Sequence, residues 1–159
     1  MQPVHRKSYN TTNKIYFFTA TIHNWLPLLL LNNNQQLIID YLKKLCDEGF
    51  ITVYAFVLMP NHVHIIWQQN KLNGKETPQG SFLKYTAHEF LKKLKASGQS
   101  FLYEVNAANK KHQIWQRDSL SVEIYSRAVA VQKLQYIHFN LGLGSWHTKH
   151  SLGLGSWHR

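Results

Sequence analysis

Two short stretches of the chain combine residue types and spacings that can do chemistry. The first is His62-Val63-His64. Side chains two apart on a β-strand point to the same face, so two imidazoles in this arrangement can converge on one metal ion. Spacing alone favours two ordinary surface or hydrogen-bonded histidines, because the pattern is short and the chain carries ten histidines. The second stretch is Tyr136-Ile137-His138-Phe139-Asn140. On a helix, positions i and i+4 lie one above the other, so Tyr136 and Asn140 share a face. At about 100° per residue, Ala130, Leu134, Ile137 and Leu141 form an apolar stripe, and Tyr136 points roughly 130° away from it. A tyrosine so placed is not core filler for its own helix. A surface or interface tyrosine, and an asparagine ending a helix before Gly142, are the plain alternatives.

Taken together, the two stretches describe a usable reaction centre. A tyrosine hydroxyl ionises near pH 10 and is a poor nucleophile at neutral pH without assistance. A divalent ion held by His62, His64 and the Asn140 side-chain oxygen keeps open positions for phosphate oxygens and stabilises charge on a leaving group. Two imidazoles and an amide oxygen suit Mg or Mn, and bind later transition metals more tightly.

The elements that must position these residues follow from pattern. Ile15–Ile22, rich in β-branched and aromatic residues, predicts a buried strand. Asn32, Asn33 and Asn34 predict a helix N-cap; Ile38, Tyr41, Leu42 and Leu45 predict an amphipathic helix stopping at Gly49. Phe50–Leu58 and Val63–Trp67 predict two strands joined by a tight Met59-Pro60-Asn61 turn. Residues 70–80 read as an exposed loop. A helix follows from Ser81 to about Ala96, on the spacing of Leu83, Ala87, Phe90, Leu91 and Leu94. A basic loop at Asn109–His112, a fourth strand between Ile114 and Tyr125, and a last helix over Arg127–Asn140 complete the series. The order β-α-β-β-α-β-α predicts an α+β fold, an antiparallel sheet with helices mainly on one face, on the ferredoxin-like plan. Leu-Gly-Leu-Gly-Ser-Trp-His stands at 141–147 and again at 152–158. Two copies do not make a solenoid, so 1–140 is read as the domain and 141–159 as an atypical tail.

Bulk properties narrow the partner. The 159 residues suffice for one domain with a true core. Lys and Arg outnumber Asp and Glu 18 to 8, leaving a formal charge of +10, which calls for a polyanion such as nucleic acid. The single cysteine, Cys46, reads as a buried hydrophobe of a reducing compartment. The longest apolar run, Trp25–Leu31, is too short to span a bilayer, and the first ten residues are polar. The expected setting is cytoplasmic, with no membrane partner.

The string Tyr54-Ala-Phe-Val-Leu-Met-Pro-Asn-His-Val-His-Ile-Ile66 resembles the signature of single-tyrosine HUH transposases, nearest to the REP-associated tyrosine transposases and related insertion-sequence enzymes. Tyr16-Phe-Phe-Thr-Ala-Thr21, Trp115-Gln-Arg-Asp118 and Tyr136-Ile-His-Phe-Asn140 match further, in family order, over roughly residues 10 to 140. The resemblance implies a ferredoxin-like, RRM-like HUH nuclease domain that cuts single-stranded DNA next to a hairpin. It implies Tyr136 as nucleophile, attaching to a 5′ phosphate and freeing a 3′ hydroxyl. It implies His62 and His64 as metal ligands with Asn140 as the third, and Mg or Mn as the cofactor. Lys84, Lys92, Lys93, Lys110 and Lys111 are candidate phosphate contacts, and Tyr85 and Trp115 candidate base-stacking rings. Ordinary solvation and core packing stand as their alternatives. A homodimer in which each tyrosine serves the partner's metal site and a self-sufficient monomer both fit the motifs. The family has proline after the position of Asn140, where this chain has Leu141. A decayed or domesticated hairpin-DNA-binding protein is therefore the competing reading.

Overall fold

The computed structural model describes residues 11–141; the duplicated tail beyond Leu141 lies outside this range. Strands β1 (Ile15–Thr21), β2 (Ile51–Leu58) and β3 (His62–Gln69) alternate with helices α1 (Asn34–Asp47) and α2 (Pro78–Ala96). A hairpin of β4 (Glu104–Ala107) and β5 (Lys110–His112), then β6 (Leu120–Glu123) and α3 (Arg127–Leu141), complete the described chain. The main sheet runs β2-β3-β1-β6 with every pairing antiparallel. This is the α+β, ferredoxin-like order expected from sequence, with the small β4–β5 hairpin added in place of the basic loop.

Central strands β1 and β3 are buried on both faces, which explains their near-continuous apolar and aromatic composition. On one face Phe18 stacks on Trp67, with centroids 5.0 Å apart, and both meet Phe82 of α2 edge-on. Ile38, Tyr41, Leu42 and Leu45 of α1 and Phe90 and Leu94 of α2 close this main core. The other face is covered only in part. Phe17, Ala55, Val57 and Ile66 meet Ile137 of α3, with Leu134 packed against them. Register between the two faces is kept by a bulge in β2, where the pairing slips between Val53 and Ala55 and Tyr54 is the extra residue. The bulge sets Phe56 into the main core and Val57 opposite His64; a one-residue slip would exchange the faces.

Helix ends follow local chemistry. α1 and α2 each close on a glycine with positive φ, Gly49 and Gly98. Phe50 N–H bonds Leu45 O and Gln99 N–H bonds Leu94 O, the six-residue closure that glycine at this position permits. α2 begins at Pro78, three residues before the expected start, because Thr77 Oγ1 accepts the Gly80 N–H at 3.1 Å. The asparagine cap expected for α1 is not formed. Asn33 is left-handed and makes no side-chain cap bond, while buried Asn34 donates to Leu28 O and accepts from Lys93 Nζ. The asparagines tie α1 to the preceding turn and to α2 instead.

Candidate metal and nucleophile site

His62 and His64 project from β3 on the face that carries Ile66 and α3. Their ring centroids are 4.8 Å apart. His64 is 5% exposed and stacks on Phe17 at 5.3 Å. Its Nδ1 lies 2.7 Å from Thr19 Oγ1, the residue paired with it across β1. His64 Nε2 is buried and has no hydrogen-bond partner among the described residues. A buried polar nitrogen without a partner is costly unless something else satisfies it.

His62 shows how the pair is oriented. Its Nδ1 lies 2.7 Å from Asn61 Oδ1, and Asn61 Nδ2 donates to Trp25 O at 3.3 Å. The amide oxygen only accepts, so His62 Nδ1 carries the proton and Nε2 holds the lone pair. A ring whose far N–H is held by an oxygen is the usual arrangement of a metal-binding histidine. The turn bearing Asn61 is held from three directions. Ile22 N–H bonds Asn61 O, Leu29 N–H bonds Pro60 O, and Met59 N–H bonds His62 O.

Both imidazoles are neutral at physiological pH. Burial lowers His62 below the ordinary histidine value. Burial, then the neighbouring His62 and Lys133, lower His64 to about 4. Between pH 6.5 and 4 the unfolded chain therefore binds a proton at position 64 that the native protein refuses. Metal-free stability should fall as pH drops through that window, by up to about 1.4 kcal/mol per unit from this group, and level off below it. Urea unfolding in a chelator at pH 7, 6 and 5 checks this against His64→Asn; equal slopes in the two proteins would refute it.

α3 brings Tyr136 to the pair. Ser126 caps its start, with Oγ accepting the Val129 N–H at 3.3 Å. Ile137 is the buried anchor, and Tyr136, 50% exposed, sets its ring edge-on to His64 with centroids 5.2 Å apart and to Phe17 at 5.9 Å. A single chain thus holds the tyrosine beside its own His pair. Asn140 falls on α3 one turn beyond Tyr136, and its side chain is outside the described part. Among the described residues no third His, Cys, Asp or Glu joins the two histidines. The donor set nevertheless fits a divalent ion: two neutral nitrogens, one of them buried and otherwise unsatisfied.

The other expected contacts are not gathered here. Lys84, Lys92 and Lys93 lie on α2, which packs on the opposite face of the sheet from the His pair. Lys84 pairs with Glu76 at 2.7 Å, and Lys93 donates to Asn32 O and Asn34 Oδ1. Lys110 is on β5, and the adjacent Lys111 pairs with Glu104 at 3.4 Å. Tyr85 is stacked on Tyr41 at 4.0 Å, beside α1. Trp115 sits in the main core and donates through Nε1 to Thr86 Oγ1, so it packs rather than offering a face to a base.

Residues not singled out from sequence take their place. Lys133 extends its Nζ over the Phe17 ring, 4.9 Å from the centroid. Its spacing of three before Tyr136 was the available signal. A cavity of about 80 Å³ next to the pair is lined by Thr19, Thr21, Gln116, Arg117, Asp118, Ser119 and Leu120. The string Trp115-Gln-Arg-Asp118 had marked that loop without placing it.

Among solved structures, the chain is similar to a REP-associated tyrosine transposase bound to a REP hairpin. The identity is 20%, the match covers 92% of this chain and 76% of that one, and the TM-score is 0.59. A candidate transposase from Deinococcus radiodurans R1 aligns at 14% identity over 84% of this chain and 96% of that one, with TM-score 0.49. No protein-family model and no curated protein matches the sequence. The first likeness establishes the fold: the four-stranded antiparallel sheet and its helices are those of the hairpin-bound transposase.

Proposed function

We propose that the chain is a single-tyrosine HUH transposase, a metal-dependent enzyme that nicks single-stranded DNA beside a hairpin and transfers the strand through a 5′-phosphotyrosine. The observation that carries this reading is the Tyr136 ring set edge-on against His64, within a site whose buried His64 Nε2 has no other partner. The match of Met-Pro-Asn-His-Val-His and Tyr-Ile-His-Phe-Asn to the family supports it, as does the shared fold. His62 Nε2, His64 Nε2 and the Asn140 side-chain oxygen would hold a Mg or Mn ion. Such an ion polarises the scissile phosphate and stabilises charge on the departing oxygen.

The chain's own groups account for the rest. Tyr136 Oη bonds to phosphorus as the bond to the 3′ oxygen breaks, and that oxygen leaves as a 3′ hydroxyl. The tyrosine proton passes to solvent, which half-exposure of Tyr136 permits, and solvent returns a proton to the departing 3′ oxygen. One phosphodiester replaces another, so a 3′ hydroxyl from a second strand can reverse the step without further energy. Phe17 on one side of His64 and the Tyr136 ring on another keep water from the buried nitrogen. Because tyrosine and histidines come from one chain, the geometry needs no second copy. No described helix is long and apolar enough to cross a membrane, and a cytoplasmic setting suits a DNA substrate.

Incubation with labelled single-stranded hairpin DNA and Mn or Mg should give a denaturant-stable protein–DNA adduct. Hairpin binding without an adduct at any metal concentration would favour the decayed binding protein; cleavage without an adduct would favour a hydrolase using water. The phosphate path should run past Lys133 and Arg117, which border the site. Lys133→Ala and Arg117→Ala should each lower the slope of log affinity against log salt by about 1, whereas Lys84→Ala leaves it unchanged. A salt titration by fluorescence anisotropy reads this directly.

A further inference from the structure

Trp25 is a large aromatic residue that the core does not use. It is 60% exposed, yet its ring stands 6.2 Å from that of His62, at 70° to it. The backbone that displays it is unusual: Asn24 and Trp25 are both left-handed, with φ of 53° and 56°. For tryptophan this conformation is sterically disfavoured and persists only where the surroundings impose it. Here they do. Trp25 N–H bonds Ile22 O, and Trp25 O accepts from Asn61 Nδ2, the amide whose oxygen holds His62 Nδ1. One asparagine side chain therefore ties the Trp25 backbone and the His62 imidazole together. Leu28 and Leu29, buried just beyond, hold the far end of the segment in the main core.

We infer that Trp25 is a stacking platform for an unpaired nucleobase flanking the phosphate bound at His62 and His64. The inference rests on the reading of the site as one for single-stranded DNA, and adds a base-binding element to it. An indole offers a broad face that every base can stack upon, and such stacking tolerates any sequence. The charge of +10 supplies the attraction for the backbone that carries the base. In duplex DNA the bases are already stacked on one another, so the platform selects unpaired strands.

The test is equilibrium binding of a labelled oligothymidylate and of a duplex of equal length, measured in a chelator so that no strand is cut. Trp25→Ala should weaken oligothymidylate binding about 5- to 150-fold and leave the weak duplex binding unchanged. Trp25→Phe should recover most of the loss, whereas Trp25→Leu, apolar without a π face, should not. Exposure of the ring predicts unchanged melting for all three variants. Undiminished binding by Trp25→Ala, or equal binding by the Leu and Phe variants, would overturn the stacking role alone. A native protein with no affinity for single strands would overturn the DNA reading along with it.

Discussion

Tyr136→Phe should abolish the covalent protein–DNA adduct and lower strand cleavage by roughly 10³-fold or more, with hairpin binding retained. The size of the effect follows from what is removed. The phenyl ring still fits edge-on to His64 and Phe17, so the packing on that side of α3 survives. Only the hydroxyl goes, and with it the atom that would bond to phosphorus. Tyr136 is half-exposed, so stability should change by no more than about 0.5 kcal/mol, separating chemistry from folding. Gel analysis under denaturing conditions, with melting curves on the same samples, is sufficient. An adduct of undiminished yield would mean that another nucleophile is at work. Mixing Tyr136→Phe with His64→Ala then distinguishes a tyrosine serving its own histidines, as the geometry has it, from one serving a partner's. Restored cleavage in the mixture would require exchange between chains.

His62→Ala or His64→Ala should weaken Mn binding by more than about 100-fold, and Asn61→Ala by about 10- to 100-fold, in calorimetric titration. Asn61 enters because its amide oxygen holds the His62 Nδ1 proton and leaves the Nε2 lone pair free for the proposed ion. The pH profile of the native protein is the sharper check. An exposed histidine pair begins to lose metal to protons near pH 6.5. Here burial depresses both groups, His64 to about 4, so protons compete at lower pH than they would at an exposed pair. Mn affinity should therefore fall less between pH 8 and pH 6 than it would at an exposed pair. A tenfold loss across that interval would show that the imidazoles bind protons as freely as surface histidines, and the buried site would have to be abandoned.

Local signals in this sequence predicted local structure well. The alternating aromatic and β-branched residues of Ile15–Thr21, the apolar spacing up to Gly49, and the Met59-Pro60-Asn61 turn each match an observed boundary closely. The start of α2 was legible too, in Thr77 followed by Pro78, but the preceding Gly, Asn and Lys residues drew the loop three residues too far. β6 is shorter than its window because Trp115 turns into the main core and Asp118 adopts φ 60°, breaking the extended run. What no pattern within one segment could reveal is which side of a sheet a helix covers. The lysines of α2 are as basic in sequence as Lys133, yet α2 and α3 pack on opposite faces, so it is Lys133, over Phe17, whose charge reaches His64. Trp25 illustrates the same limit. Within Trp25–Leu31 it reads as one more apolar residue, and its place beside His62 is tied to a hydrogen bond from Asn61, thirty-six positions away.

The two halves of the site are anchored very unequally. β3 is clamped between β1 and β2 and buried on both faces, whereas the described part of α3 rests on the sheet through Ile137, with Leu134 at its edge. Local opening follows such differences, so α3 can lift at a small fraction of the cost of melting the sheet. Lifting uncovers His64 along with Phe17, Ala55, Val57 and Ile66, and leaves both imidazoles on β3. The molecule is thus built like a vice with one fixed jaw. If Asn140 is the third ligand, closing the moving jaw and completing the coordination of a bound ion would be a single event, and metal affinity would measure how long Tyr136 stays at its post.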